Sequence, residues 1–323
     1  MEKHIEKKNE KYEKYKAYEG FLLDKRYVLD HLIGVGGMAV VFRARDMVLN
    51  EMTVAVKMLK EEAACDEVVV KRFRNEGKAQ STLDHPNIVK VFDVSVSGEV
   101  KYMVMEYVYG ITLKNYLIGK KGPLSFDEIM SYGTQVLSAL CQAHENQIIH
   151  RDIKPQNVMV LKNGQIKMMD FGIAKLPNTE TVTVTDKAIG TVYYMSPEQA
   201  RGKKVDARTD IYSFGAMLYE LSTGKTPFSG ESPCDILVKH ITEKPIPPRS
   251  INANVPVGLE QIILCAMSKS ADDRFDTAKE LYAYMKHLQK DKRIKFSDLP
   301  SNGFFTNLAG KFKSIFSKKK GAK

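Results

Sequence analysis

The 323 residues hold only four cysteines, Cys65, Cys141, Cys234 and Cys265, and no two form a Cys-x-x-Cys pair. Thiols so scattered exclude a disulfide framework and a thiolate zinc site, and they suit a reducing cytoplasm. No apolar stretch reaches 18 residues, so no transmembrane helix is predicted. Met1-Glu2-Lys3-His4 opens no apolar core, and no secretion leader is predicted. There is no internal repeat. Acids are missing from residues 304–323, where six lysines lie. Residues 1–19 carry six lysines against five glutamates, so of the net +10 only +3 belongs to residues 20–303. A charge that small gives no reason to expect nucleic-acid binding by the folded body.

What is present reads as a folded chain. Hydrophobic residues make up 43%, and the length allows one two-lobed domain or two small ones. Alternation of period two runs from Tyr27 to about Leu59, broken by Gly34-Val35-Gly36-Gly37 and by a turn near Asn50. It predicts a three-strand meander. Val69, Phe73, Glu76, Gln80 and Leu83 recur at helical spacing and predict a helix over 67–83. Strand-like runs at 88–94 and 100–107 complete a small sheet. After Gly110 the period becomes helical, at about 127–146, 206–223, 233–242, 256–267 and 275–290. Strands first and helices after predict an α+β chain of two lobes with a cleft near the change. Residues 1–19 read as a frayed helix or disorder, and residues 291–303 as a linker.

Two short runs carry chemistry: His150-Arg151-Asp152-Ile153-Lys154-Pro155-Gln156-Asn157 and Asp170-Phe171-Gly172. One acid can take a proton from a hydroxyl. An amide oxygen and a second acid can hold magnesium, which prefers few protein oxygens plus phosphate oxygens. Asn163-Gly164 lies between two apolar stretches and predicts a hairpin turn, since both residues can take positive φ. The hairpin returns Asp170 beside Asn157. This arrangement points to phosphoryl transfer from a nucleotide.

Further motifs follow in order: Gly34-Val35-Gly36-Gly37-Met38-Ala39-Val40-Val41, then Val54-Ala55-Val56-Lys57, then Ser196-Pro197-Glu198. With the two runs above they resemble the protein-kinase signature over residues 24–292. The Gly-Gly-Met-Ala loop, the Ser-Pro-Glu-Gln-Ala run and Lys-Pro-Ile-Pro-Pro at 244–248 are similar to bacterial Hanks-type (eukaryotic-like) Ser/Thr kinases, whose longer members carry PASTA repeats. The resemblance implies a two-lobed protein-kinase-like fold. A charged extension over 1–23 would precede a β-rich N-lobe at 24–107 and a larger helical C-lobe at 108–292. A linker and basic amphipathic tail would occupy 293–323. The activity implied is transfer of the γ-phosphoryl group of ATP to Ser/Thr hydroxyls of protein substrates, with Mg2+, or Mn2+ as the alternative.

Gly34, Gly36 and Gly37 let backbone amides approach phosphate closely, although a merely flexible hairpin has the same composition. Ala39 stands where the family has a third glycine. Ala55 and Lys57 share one strand face. Ala55 can cover an adenine while Lys57 reaches the phosphates, and Glu76 is the acid such an ammonium needs. The resemblance lines the adenine pocket with Ile33, Val41, Ala55, Met105 and Met159, Met105 being the gatekeeper. Glu106 would offer a carbonyl and Val108 an amide. Asp152 is the implied base, and Lys154 would neutralise the transferring group. Thr191 would bridge these two, while Asn157 and Asp170 hold the metal. His150 is implied to be structural, Asp210 to hold the loop backbone, and Glu198 to pair with Arg274.

Arg151 precedes the base, and kinases with arginine there usually need a phosphate on the activation loop. That loop, 173–195, contains Thr179, Thr181, Thr183 and Thr185; Thr183 and Thr185 are the expected sites of autophosphorylation. Related kinases pair through their N-lobes, which implies a homodimer. Phe304, Phe305, Leu308, Phe312, Ile315 and Phe316 recur at helical spacing among lysines. Residues 304–320 therefore suggest a tail on an anionic membrane surface, against a solvated tail or the stub of a membrane span. A pseudokinase and a small-molecule kinase are the rival readings. The complete set Lys57, Glu76, Asp152, Asn157 and Asp170 argues against the first. Thr191, Glu198 and Arg274 argue against the second.

Overall fold

The computed structural model describes residues 12–171 and 190–298. They divide into two units: residues up to Asp84 with Val89–Tyr109, and His85–Ile88 with the chain from Gly110 onward.

In the first unit the alternating segment folds into β2 (Tyr27–Val35), β3 (Ala39–Asp46) and β4 (Met52–Leu59), preceded by the two-residue β1 (Leu22–Leu23). With β5 (Val91–Ser95) and β6 (Tyr102–Glu106) they make a six-stranded antiparallel sheet, ordered β1-β2-β3-β4-β6-β5. Its core includes Tyr27, Leu29, Leu32, Phe42, Val54, Val56 and Val104. Helix α1 (Glu67–Ser81) is N-capped by Asp66, which accepts from the Val68 and Val69 amides. It stops at Ser81, two residues short of the expected end. A side chain at Gly77 would meet Val94 and Met103 at 2.6 and 2.7 Å, so glycine permits the helix to lie close against β5 and β6.

Two local readings change here. Residues 12–16 are helical, and Tyr15 is buried in the core of the sheet rather than frayed. Ile88 does not extend β5; it forms an isolated bridge with Met168 in the second unit.

The second unit is mostly helical: α2 (Leu113–Lys120), α3 (Phe126–Glu145), α4 (Arg208–Thr223), α5 (Pro233–Thr242), α6 (Val257–Ala266) and α7 (Ala278–Lys290). Every residue of α4 from Thr209 to Thr223 is buried. Gly215 allows this, because a Cβ there would lie 2.7 Å from that of Ala266 on α6. Helix α2 escaped the periodicity reading because it is one short stretch with only Leu113 and Leu117 buried. Helix α7 starts at Ala278, later than expected, because the Thr277 side chain caps the Glu280 amide. Phe296 falls within the segment read as linker, yet it is buried, stacked on Tyr284 at 4.1 Å between ring centroids.

Strands β7 (Gly110–Thr112), β8 (Val158–Leu161) and β9 (Ile166–Met168) form a small antiparallel sheet. The β8–β9 turn departs from the expected geometry. Gly164 has φ +80°, but Asn163 is not among the positive-φ residues. The Gly164 amide donates to Leu161 O and the Leu161 amide to Gln165 O. These bonds close a three-residue loop in which only the last residue needs the left-handed region.

Candidate active site

Strand pairing in the first unit puts Gly34 opposite Val41, Val41 opposite Lys57, and Lys57 opposite Met103. Ala55 lies opposite Met105 in the neighbouring row. Lys57, Ala55 and Met105 are all buried. Lys57 Nζ donates to Glu76 Oε1 on α1 at 3.0 Å, across a separation of 19 residues. The Gly36 amide donates to Ala39 O, closing the turn between β2 and β3. Ile33 is exposed. Glu106 ends β6, its amide bonded to Lys90 O, and Val108 follows in the same unit. Met159 belongs to the second unit, on β8 opposite Thr112 and Lys167.

In the second unit the run His150–Asn157 has no strand ladder, and side chains hold it instead. The buried carboxylate of Asp210, at the start of α4, accepts from the His150 amide at 2.8 Å and the Arg151 amide at 2.7 Å. The same carboxylate lies 2.8 Å from His144 Nε2. Arg151 has φ +63°, a left-handed conformation that costs a side-chain-bearing residue of order 1–3 kcal/mol. Gln199 Nε2 donates to Arg151 O at 2.9 Å and fixes the peptide from the other side.

On this backbone Lys154 Nζ stands 3.0 Å from Asp152 Oδ2 and donates to Thr191 Oγ1 at 2.9 Å. Asn157 Nδ2 donates to Asp152 O and Oδ2 at 2.8 and 3.0 Å. With its nitrogen so engaged, Asn157 has Oδ1 to offer a cation. The Met169 amide donates to Asn157 O at 3.0 Å, so the hairpin joins the end of β9 to Asn157. Asp170 follows with φ +57°. An amide oxygen and a carboxylate on one hairpin fit a hard cation that keeps other oxygen ligands. Gln135 of α3 secures the hairpin, accepting from the Ile166 amide and donating to Gly164 O.

His150 is fully enclosed, its ring centroid 4.5 Å from that of Phe171. Burial pushes its pKa down, against the pull of Asp210, Asp152 and Asp170. Its Nδ1 accepts from the Asp152 amide. A neutral ring tied to backbone in this way is a packing element. Glu198 accepts two bonds from Arg274, each 2.8 Å, and one from Thr209. Burial works to raise the Glu198 pKa, but the Arg274 fork overcomes it and holds it down at about 2.

A protein kinase domain model matches residues 27–305. The chain belongs to this family. The kinase domain is 47% identical over 262 residues to a protein of Clostridium acetobutylicum named "Probable serine/threonine-protein kinase", with 81% of this chain and 40% of that protein covered. It is 43% identical over 267 residues to the serine/threonine-protein kinase PrkC of Bacillus subtilis, covering 83% of this chain and 41% of PrkC. The chain thus spans about two fifths of the length of these curated relatives. Among solved structures it resembles the PknI kinase domain of Mycobacterium tuberculosis, at a TM-score of 0.67 and 24% identity, over 84% of this chain and 98% of that one. That likeness concerns the fold, which is the protein-kinase fold with a β-sheet lobe and a helical lobe.

Several polar residues of the kinase domain went unread in the sequence. Gln135 and His144 carried no signal, because each acts through a partner 29 or 66 residues away, and Gln199, although within the Ser-Pro-Glu-Gln-Ala run, reaches its partner across 48 residues. Glu220 is another: it is buried on α4 and bonded by Tyr194 and Lys114. A cavity of about 410 Å³ in the second unit is lined by Lys120, Pro123, Phe126, Asn252, Val255 and Leu259 among others. It touches none of the expected site residues. Gly172, Thr179, Thr181, Thr183, Thr185 and the tail at 304–320 lie outside the described residues. Among the described residues no helix is long and apolar enough to cross a membrane.

Proposed function

We propose that this chain is a protein kinase that transfers the γ-phosphoryl group of ATP to serine and threonine hydroxyls of proteins with the help of Mg2+, Mn2+ being the alternative. The observation that carries this reading is the buried cluster in which Lys154 spans Asp152 and Thr191 while Asn157 is locked onto Asp152. Asp152 orients the substrate hydroxyl and takes its proton late. Lys154, already fixed at both neighbours, presents its charge to the transferring oxygens without reorganisation. Lys57, held by Glu76, pairs with the nucleotide phosphates, and the amides of Gly34, Gly36 and Gly37 cradle them. Val41, Ala55, Met105, Ile33 and Met159 cover the adenine, which bonds the Glu106 carbonyl and the Val108 amide. Asn157 and Asp170 hold the metal, which when bound neutralises phosphate charge. The relatives' names support serine and threonine as acceptors.

In the same reading, Thr183 and Thr185 are autophosphorylated and one phosphate binds Arg151. The exposed turn residues Met47, Val48 and Leu49 give the first unit an apolar surface that supports pairing through the N-lobe. The tail at 304–320 places the enzyme at the inner face of an anionic membrane.

The test is phosphate transfer from labelled ATP to casein. Asp170→Asn is expected to abolish it, and Asp152→Asn to slow it roughly 10²–10⁴-fold. Full activity in either variant overturns the assignment.

A further inference from the structure

The family match begins at residue 27, yet residues before it are built into the sheet. Strand β2 leads directly into the glycine-rich loop, and the two residues of β1 pair its outer edge at Tyr27 and Val28. An uncovered edge leaves backbone donors and acceptors unsatisfied. Residues 12–21 cover that edge. Gly20 N donates to Leu29 O at 2.7 Å, and Leu29 N to Phe21 O at 3.0 Å. Further along, side chains take over from backbone. Glu19 Oε1 accepts from Leu32 N at 3.0 Å, and the Tyr12 hydroxyl donates to Leu32 O at 3.0 Å.

Leu32 is where this matters. Its pairing with Phe42 is the last before β2 slips register against β3, between Leu32 and Gly34. Its side chain is buried in the same cluster as Tyr15. Its N–H and carbonyl are thus held by Glu19 and Tyr12, just before Ile33 and Gly34, and its side chain shares a core with Tyr15. The covering segment is itself anchored. Tyr15 stacks against Tyr18 with ring centroids 6.4 Å apart, and Lys60 lies over the Tyr15 ring at 5.3 Å. Lys14 and Tyr18 both reach Glu61, in the short helix Glu61–Ala64 that precedes α1. One segment therefore touches the strand that enters the glycine-rich loop and the chain that enters the helix of Glu76.

We propose that residues 12–21 form a brace that positions the glycine-rich loop for nucleotide phosphates, with Tyr12 and Glu19 as positioning residues acting through Leu32. The functional consequence rests on the kinase reading above. Loss of the two bonds frees the peptide at Leu32, and the loop amides then meet the phosphates less well aligned.

The experiment compares the full chain with its Tyr12→Phe/Glu19→Ala double variant. Hydrogen exchange at the amides of residues 33–37 is expected to accelerate. Binding of Mg–ADP, by calorimetry, is expected to weaken roughly fivefold, and KM for ATP to rise in step while KM for casein holds. Glu19→Gln keeps an acceptor oxygen for Leu32 N and is expected to retain wild-type exchange and affinity. Tyr102→Phe, which removes a bond from β6 to Asp24 in the turn between β1 and β2, serves as the stability control and is expected to leave both unchanged. Unaltered exchange at 33–37 in the double variant, or equal acceleration in Tyr102→Phe, overturns the brace. Should the wild-type chain fail to bind Mg–ADP, the nucleotide reading falls, and the exchange measurement still decides the brace.

Discussion

Lys57 lies on a strand paired on both sides, whereas Asp152 lies on irregular backbone with no strand beside it. The first unit positions its side chains by register. Backbone bonds to β3 and β6 set where Lys57 points, and only its tip needs a partner, Glu76. The second unit has no such ladder at residues 150–157. Its backbone is held by Asp210 and Gln199, distant in sequence, and by Asn157 within the run itself, side chains that are buried or half-buried. A sheet positions residues through bonds that any sequence makes. An irregular loop must enlist particular polar groups, and each becomes a point of failure.

The largest expected effect follows from that contrast. Asp210→Ala leaves the buried His150 amide, the part-buried Arg151 amide and His144 without their shared partner, and should cost about 3–5 kcal/mol in urea unfolding. A loss under about 1 kcal/mol would break the comparison. The Glu198–Arg274 pair should show itself in acid. A carboxylate whose folded pKa is depressed contributes stability above its unfolded value and loses it as the pH falls through the folded one. For Glu198 the window runs from its ordinary 4.5 down to about 2, worth ~3 kcal/mol. Urea midpoints across that range should fall more steeply in the wild type than in Glu198→Gln, and parallel curves would remove the pair from the scaffold.

The first unit should respond to packing rather than to polar deletion. Gly77→Ala pushes a methyl group into Val94 and Met103 and should cost about 1–3 kcal/mol, read as a fall in melting temperature. The smallest stability effect is expected for Lys57→Met, roughly 1 kcal/mol, because the β4 ladder does not depend on the ammonium. Its turnover on casein should nonetheless fall about 10²-fold or more. Lys57→Met losing as much stability as Asp210→Ala would mean that register alone does not hold the first unit.

The sequence by itself determined the elements whose signal is local. Alternation marked β2, β3 and β4, helical spacing marked α1 and α3 to α7, and Gly164 marked a turn that needs one left-handed residue. The motif order carried the resemblance to the family, and the site residues proposed above rest on it. Where an element was short, as in α2, too few buried positions existed for a period to stand out. Tertiary structure alone decided which distant groups meet. Tyr15 sits in a run of charges and is buried only because β2 has an edge to cover. Phe296 looked like linker and is buried because Tyr284 and Phe275 offer it aromatic faces. Lys154 meets Thr191 across 37 residues, and Asp210 meets Arg151 across 59. Periodicity is a property of neighbouring residues, while a polar contact is set by where the whole chain brings two groups, and no local pattern records that distance.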